Sequence, residues 1–150
     1  MFLTNFFSEK KSFTFKNKNK IRRLVKRLCL EEGKSLSFLN IIFCSDGYLL
    51  EINKKHLKHD YYTDVITFDY SEKNKNIEGD IYISVDRVED NAKKYKENKS
   101  LELIRTIIHG TLHLSGYKDK TKKEKEIMTT KENKYLSLYK KNKVPRGTPL

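Results

Sequence analysis

The 150-residue chain is poor in several things that would each have assigned it to a class. It has two cysteines, Cys29 and Cys44, in no C-x-x-C spacing, which excludes a zinc ribbon and a disulfide framework and leaves buried, reduced thiols. No stretch approaches the roughly 18 consecutive apolar residues of a membrane span. The apolar start, Met1 to Phe7, is too short for a secretory h-region and has no basic segment ahead of it, so a cytoplasmic location is expected. Both prolines, Pro145 and Pro149, fall in the final residues, and neither a repeat nor a linker interrupts the chain, so one domain is expected. Hydrophobic residues make up only 37%, but they cluster in periodic runs, which favours a folded core over disorder.

Acid is also scarce. Lysine and arginine outnumber aspartate and glutamate 32 to 20, for a net charge of +12 and a pI near 9.6. Such a balance points to a polyanionic partner, nucleic acid before membrane. The excess is densest at residues 16–30, which contain no acid at all. There Ile21, Leu24, Val25 and Leu28 form a helical apolar stripe, Gly33 ends it, and Lys16, Lys20, Arg23 and Arg27 occupy the opposite face. An acid-free face on an amphipathic helix suits phosphate contact, and Arg23 and Arg27 are its candidate RNA-binding residues; a merely solvated face is the alternative.

The remaining periodicities alternate between strand and helix. Residues 1–6 read as a first strand, with a polar turn at 8–11 and a short extended piece at 13–15. Residues 36–44 are β-branched and aromatic, as in a strand. Ser45-Asp46-Gly47 turns into a helix over 48–57, capped by Ser45 or Asp46. A polar-aromatic loop at 60–64 leads to a strand at 65–70, a hydrophilic connection at 71–78 and a strand at 79–85. Asp86 is expected to cap a polar helix over 87–97, and Ser100 the helix over 101–115. A charged helix over 121–141 has Ile127, Leu136, Leu138 and Tyr139 as its apolar anchors, and the tail 144–150 is expected to be loose. The fold class is therefore α+β, with a mixed sheet of about four strands and the 101–115 helix packed against it.

That helix carries the chemistry. Leu101, Ile104, Ile108 and Leu112 form its apolar row, and Leu103, Ile107 and Leu114 widen it. His109 and His113 are i,i+4 neighbours on one face, the spacing at which two imidazoles can share a metal ion. Gly116 stops the helix and lets Asp119 return toward the same ion. Two histidines and a carboxylate with an open fourth position is a known catalytic zinc arrangement. The residue after the first histidine is Gly110, where a metalloprotease of the H-E-x-x-H type needs a glutamate base, so peptide hydrolysis is excluded by that route. A Lewis-acid metal on a basic protein suits a phosphodiester, with the metal activating water or polarising a phosphoryl oxygen.

These residues resemble a known family. His109-Gly110-Thr111-Leu112-His113-Leu114-Ser115-Gly116-Tyr117 is similar to the signature H-G-x-L-H-L-x-G-Y-D-H of the YbeY endoribonucleases, which are bacterial ribosomal RNA maturation factors with three zinc-binding histidines. Asn53 to Phe68 is similar to that family's L-N-x-x-Y-R-x-x-D-x-x-T-D-V-L-S-F, and Gly79 to Ser84 to its G-D-I-x-I-[CS]. The three motifs are co-linear across residues 40–120. The resemblance implies a zincin-like domain over 1–143, one zinc ion per chain, and cleavage of single-stranded ribosomal RNA in ribosome biogenesis, with small-subunit ribosomal proteins as possible partners.

Two positions depart from the pattern. The family's third histidine falls on Asp119, which is preferred here as the third ligand because it lies beside the helix end; His56 and His59 are the alternatives. A carboxylate lowers the site's net charge by one and predicts a less acidic activated water than three histidines would give. Leu57 stands where the family has an arginine thought to hold RNA phosphate, a role leucine cannot fill. Lys58, His59, Arg105 and Lys120 are the candidates to replace it. Asp60, Thr63 and Asp64 can orient water or a ligand histidine, or simply cap the turn. The expected function is metal-dependent endoribonucleolysis in ribosomal RNA maturation, through His109, His113 and Asp119. A non-catalytic RNA- or ribosome-binding factor with a structural zinc is the alternative, and a metal hydrolase of small substrates is a third class.

Overall fold

A computed structural model describes residues 2–73 and 75–141. The expected loose tail lies outside the described residues. The elements are β1 (Thr4–Ser8), α1 (Lys18–Glu31), β2 (Ser35–Cys44), α2 (Asp46–Leu57), β3 (Val65–Asp69), β4 (Asn76–Ser84), α3 (Val85–Lys94), α4 (Lys99–Leu114) and α5 (Lys122–Lys141). The architecture is α+β, as expected: one four-stranded mixed sheet, ordered β1-β2-β4-β3. β1, β2 and β4 are parallel, and β3 pairs antiparallel with β4 at the edge.

Alternation divides the sheet into two faces. Leu39, Ile41 and Phe43 of β2 and Ile77, Ile81 and Ile83 of β4 form the main core with α1, α4 and α5. Cys44, Leu49 and Ile66 form a smaller cluster on the other face beneath α2. Helix α4 contributes Ile104, Ile107, Ile108 and Leu112, each at most 2% exposed. Its closeness to β4 depends on Gly110, since a Cβ there would lie 2.9 Å from Ile81 Cγ2. Gly110 therefore faces the sheet at β4, while its neighbours in the motif, His109 and His113, line a cleft beside Val65, Ile66 and Thr67 of β3.

Four local expectations are corrected. β4 begins at Asn76, not Gly79, because Asn76-Ile77-Glu78 alternates with Ile77 inward and pairs with the start of β2. β4 runs directly into α3, so the N-cap of that helix is Ser84, whose Oγ accepts from Arg87 N at 3.1 Å. Asp86, the second residue of the helix, instead accepts from Lys10 and from Asp46 N. Asn98 caps α4, its Oδ1 accepting from Ser100 N at 2.8 Å and Leu101 N at 3.2 Å; Ser100 is already helical. On α5 the buried stripe is Met128, Glu132, Tyr135, Leu136 and Tyr139, while Ile127 points outward at 41% exposure. The two free cysteines are buried, and burial pushes Cys44 up to about 12, which keeps it a thiol.

Candidate metal centre

The end of α4, the segment after it and the loop between α2 and β3 enclose a cleft of about 420 Å³. His109 and His113 project into it from one side of α4, one turn apart, with side chains 22% and 24% exposed. Gly116 takes φ +108° and reverses the chain, which brings Asp119 back to the two rings. His109 Nε2 and His113 Nε2 are 3.0 Å apart, and each is 3.2 Å from Asp119 Oδ2.

The opposite nitrogens of both rings are engaged. His113 Nδ1 donates to the Tyr117 carbonyl at 2.9 Å. His109 Nδ1 donates to Glu132 Oε2 at 2.5 Å, and Glu132 Oε1 accepts from Arg105 Nη1 at 3.1 Å. With both Nδ1 positions protonated, both Nε2 atoms present lone pairs, and the centre consists of three acceptors. One proton can bridge two of them; a cation can take all three. Tetrahedral zinc with nitrogen and oxygen ligands at about 2.0–2.1 Å holds its ligand atoms about 3.3 Å apart, close to the separations found here. The donor set therefore fits a metal ion. Burial draws the pKa of His109 down, but the bond and charge of Glu132, aided by Asp119 and Asp64, outweigh it and leave the pKa raised. Excess negative charge thus surrounds the position a cation would take.

The remaining expected residues divide clearly. His59, Thr63 and Asp64 line the cleft with the three candidate ligands; His56 instead meets the ring of Phe68 edge-on at 5.8 Å. His59 Nδ1 is 3.0 Å from the Tyr61 hydroxyl. Leu57 also lines the cleft, 41% exposed. Lys58 and Lys120 are exposed nearby in sequence. Arg105 directs its guanidinium at Glu132 and Asn133. Arg23 and Arg27 lie on α1 and do not line the cleft; Arg27 pairs with Glu31 at 2.7 Å. Ser84 is fully buried as the cap of α3, where its Oγ donates to Asp46 Oδ1 at 3.1 Å, and it does not line the cleft.

Sequence reading missed Glu132. Its signal was a carboxylate at the position where the 128–135–136–139 stripe of α5 requires an apolar residue. It also missed Tyr117, which acts through its backbone carbonyl and so leaves no mark in its side-chain type.

Comparison with known proteins agrees with this architecture. The family model described as Endoribonuclease YbeY matches residues 4–140. The Endoribonuclease YbeY of Cytophaga hutchinsonii is 51% identical over 135 residues, covering 90% of this chain and 94% of that protein. That of Karelsulcia muelleri is 54% identical over 114 residues, covering 76% and 80%. The solution structure of TM1509 from Thermotoga maritima superposes with a TM-score of 0.62 at 28% identity, over 91% of this chain and 88% of that one. A match of this extent, on a chain whose paired histidines stand at the mouth of a cleft, makes it a member of the YbeY endoribonuclease family.

Proposed function

We propose that this protein is a zinc-dependent endoribonuclease that hydrolyses single-stranded RNA in ribosomal RNA maturation, acting in the cytoplasm with ribosomal RNA and small-subunit proteins as its partners. The observation that carries the reading is the convergence of His109 Nε2, His113 Nε2 and Asp119 Oδ2 within 3.2 Å, with both histidines oriented from behind. When bound, zinc supplies a Lewis acid for a phosphoryl oxygen and lowers the pKa of water. Glu132 and the Tyr117 carbonyl hold the two ring protons at Nδ1, which keeps each Nε2 free as a ligand. Asp119 contributes the negative charge that the family's third histidine would not. Asp64 is the cleft carboxylate outside this ligand set, and we assign it the proton-accepting role toward the attacking water.

Leu57 favours a second reading, an RNA-binding assembly factor with a structural zinc. Against it stands the openness of the centre: Asp119 is 37% exposed, whereas structural zinc sites are closed on all four sides. Metal analysis of the wild type, His113→Ala and Asp119→Ala, with cleavage of single-stranded ribosomal RNA, separates the two. The wild type is expected to hold one zinc and cut; His113→Ala loses both, and Asp119→Ala binds zinc more weakly. Full metal and full activity in Asp119→Ala would remove it from the ligand set. A zinc-loaded wild type that binds RNA and never cuts it would leave the assembly-factor reading.

A further inference from the structure

The cleft that holds the candidate ligands is also lined by an aromatic pair from the α2–β3 loop, and the pair is built rather than incidental. His59 and Tyr61 stack on one another with ring centroids 5.2 Å apart and planes 19° apart. Their edges are tied by the Tyr61 hydroxyl at 3.0 Å from His59 Nδ1. The backbone that carries them is pinned by Asn53, which is 1% exposed on α2. Its Nδ2 donates to the Tyr61 carbonyl at 2.8 Å, and its own carbonyl accepts from His59 N at 3.1 Å. Lys58, at φ +55°, makes the left-handed turn that starts the loop. Yet Tyr61 remains 55% exposed while lining the cleft. The adjacent Tyr62 is just as exposed, at 54%, but its ring faces the Arg87 guanidinium at 5.3 Å, and it does not line the cleft.

An exposed ring held in a fixed stack beside a polar centre matches how single-stranded RNA is read. An unstacked base lies on an aromatic face, and its phosphate reaches the charged groups. We propose that the His59–Tyr61 pair is a nucleobase subsite. It takes one unpaired base of the substrate onto the ring stack, with Leu57 as its apolar neighbour, and so sets the scissile phosphate toward His109, His113 and Asp119. A base within a duplex is paired and covered on both faces, so the subsite admits single strands and rejects duplexes. It also supplies affinity that the missing arginine at Leu57 does not. The inference rests on the ribonuclease reading of the cleft, and its test is read by binding as well as by cleavage.

The test uses the zinc-loaded full chain and a single-stranded RNA oligomer carrying one 2-aminopurine, whose fluorescence is quenched by stacking. Binding and quenching are measured for the wild type, Tyr61→Ala, Tyr61→Phe and Tyr62→Ala, and repeated with an abasic site replacing the reporter base. Tyr61→Ala is expected to lose the quench and to bind about tenfold more weakly, within the usual scale for one base–aromatic stack. Tyr62→Ala should behave as the wild type, and Tyr61→Phe, which keeps the ring but loses the hydroxyl tie to His59, should retain the quench and bind more tightly than Tyr61→Ala. The abasic oligomer should bind the wild type weakly and make no difference to Tyr61→Ala. Equal affinity and equal quench in Tyr61→Ala would overturn the subsite, even if the wild type cuts RNA. A wild type that stacks the reporter base without cutting would uphold the subsite and refute the nuclease reading alone. Thermal melting checks that Tyr61→Ala remains folded.

Discussion

Glu132 carries a charge into the apolar stripe of α5 and is 8% exposed, a position tolerable only because both of its oxygens are bonded. One oxygen fixes the tautomer of His109, and the other holds Arg105, so the residue works through a histidine rather than on a substrate. Such partners typically set metal affinity by ten- to a hundredfold. Glu132→Gln keeps an acceptor for His109 Nδ1 but removes the charge, and zinc affinity measured against a chromophoric chelator is expected to fall by about tenfold or more. Unchanged affinity would show that Glu132 serves only the packing of α5. The convergence of His109, His113 and Asp119 was legible because a shared cation needs particular side chains at a particular spacing. Gly110 was legible for only half its role. The missing glutamate could be read, but the 2.9 Å approach to Ile81 depends on a partner strand 29 residues away in the chain.

At the scale of elements, the segment that brings Asp119 to the histidines is fastened at one carboxylate. Glu32, at the end of α1 with its side chain 7% exposed, accepts from the Tyr117 hydroxyl at 2.5 Å, from Lys131 Nζ at 3.1 Å and from the Tyr135 hydroxyl. It thereby joins α1, the α4–α5 connection and α5, and it steadies the residue whose carbonyl orients His113. Burial raises the pKa of Glu32, but the bonds from Tyr117, Tyr135 and Lys131 outweigh burial and leave it below its ordinary 4.5. A folded-state pKa below the unfolded one contributes stability that is complete above the unfolded value and is lost as pH falls through the folded value. Glu32→Ala should therefore cost about 3 kcal/mol of unfolding free energy at neutral pH, and the gap to wild type should narrow as pH falls below about 4.5. Urea unfolding across that range checks it, and a gap independent of pH would assign the loss to packing instead. This clasp was not legible: Glu32, Tyr117 and Tyr135 are far apart in sequence, and each alone reads as a solvated carboxylate or a packed ring. The helices and strands were legible from their periods, with boundaries failing where a polar residue pairs in a strand, as at Asn76, or where a strand enters a helix without a turn, as at Ser84.

Over the whole molecule, the +12 charge and the cleft are separate devices. The cleft is lined by Asp64 and Asp119 with the histidines, so long-range attraction of a polyanion would have to come from basic surface elsewhere. Part of the basic face of α1 is already employed, since Arg22 donates to the Thr4 carbonyl at 3.0 Å and to Asn19 Oδ1 at 2.8 Å, and Arg27 donates to Glu31 Oε2 at 2.7 Å. Fold class and strand number followed from the sequence pattern, but the order β1-β2-β4-β3 did not, because parallel pairing of β2 with β4 leaves no local signature. The proposed hydrolytic centre of His109, His113 and Asp119 is served by a cleft for unpaired RNA. Its most direct test is cleavage of one ribosomal RNA sequence, offered single-stranded and as a duplex, by zinc-loaded wild type and by His113→Ala purified identically. Cleavage of the single strand by the wild type alone, with the duplex intact, is the predicted result. Equal cutting by His113→Ala, or equal cutting of both RNA forms, would contradict it.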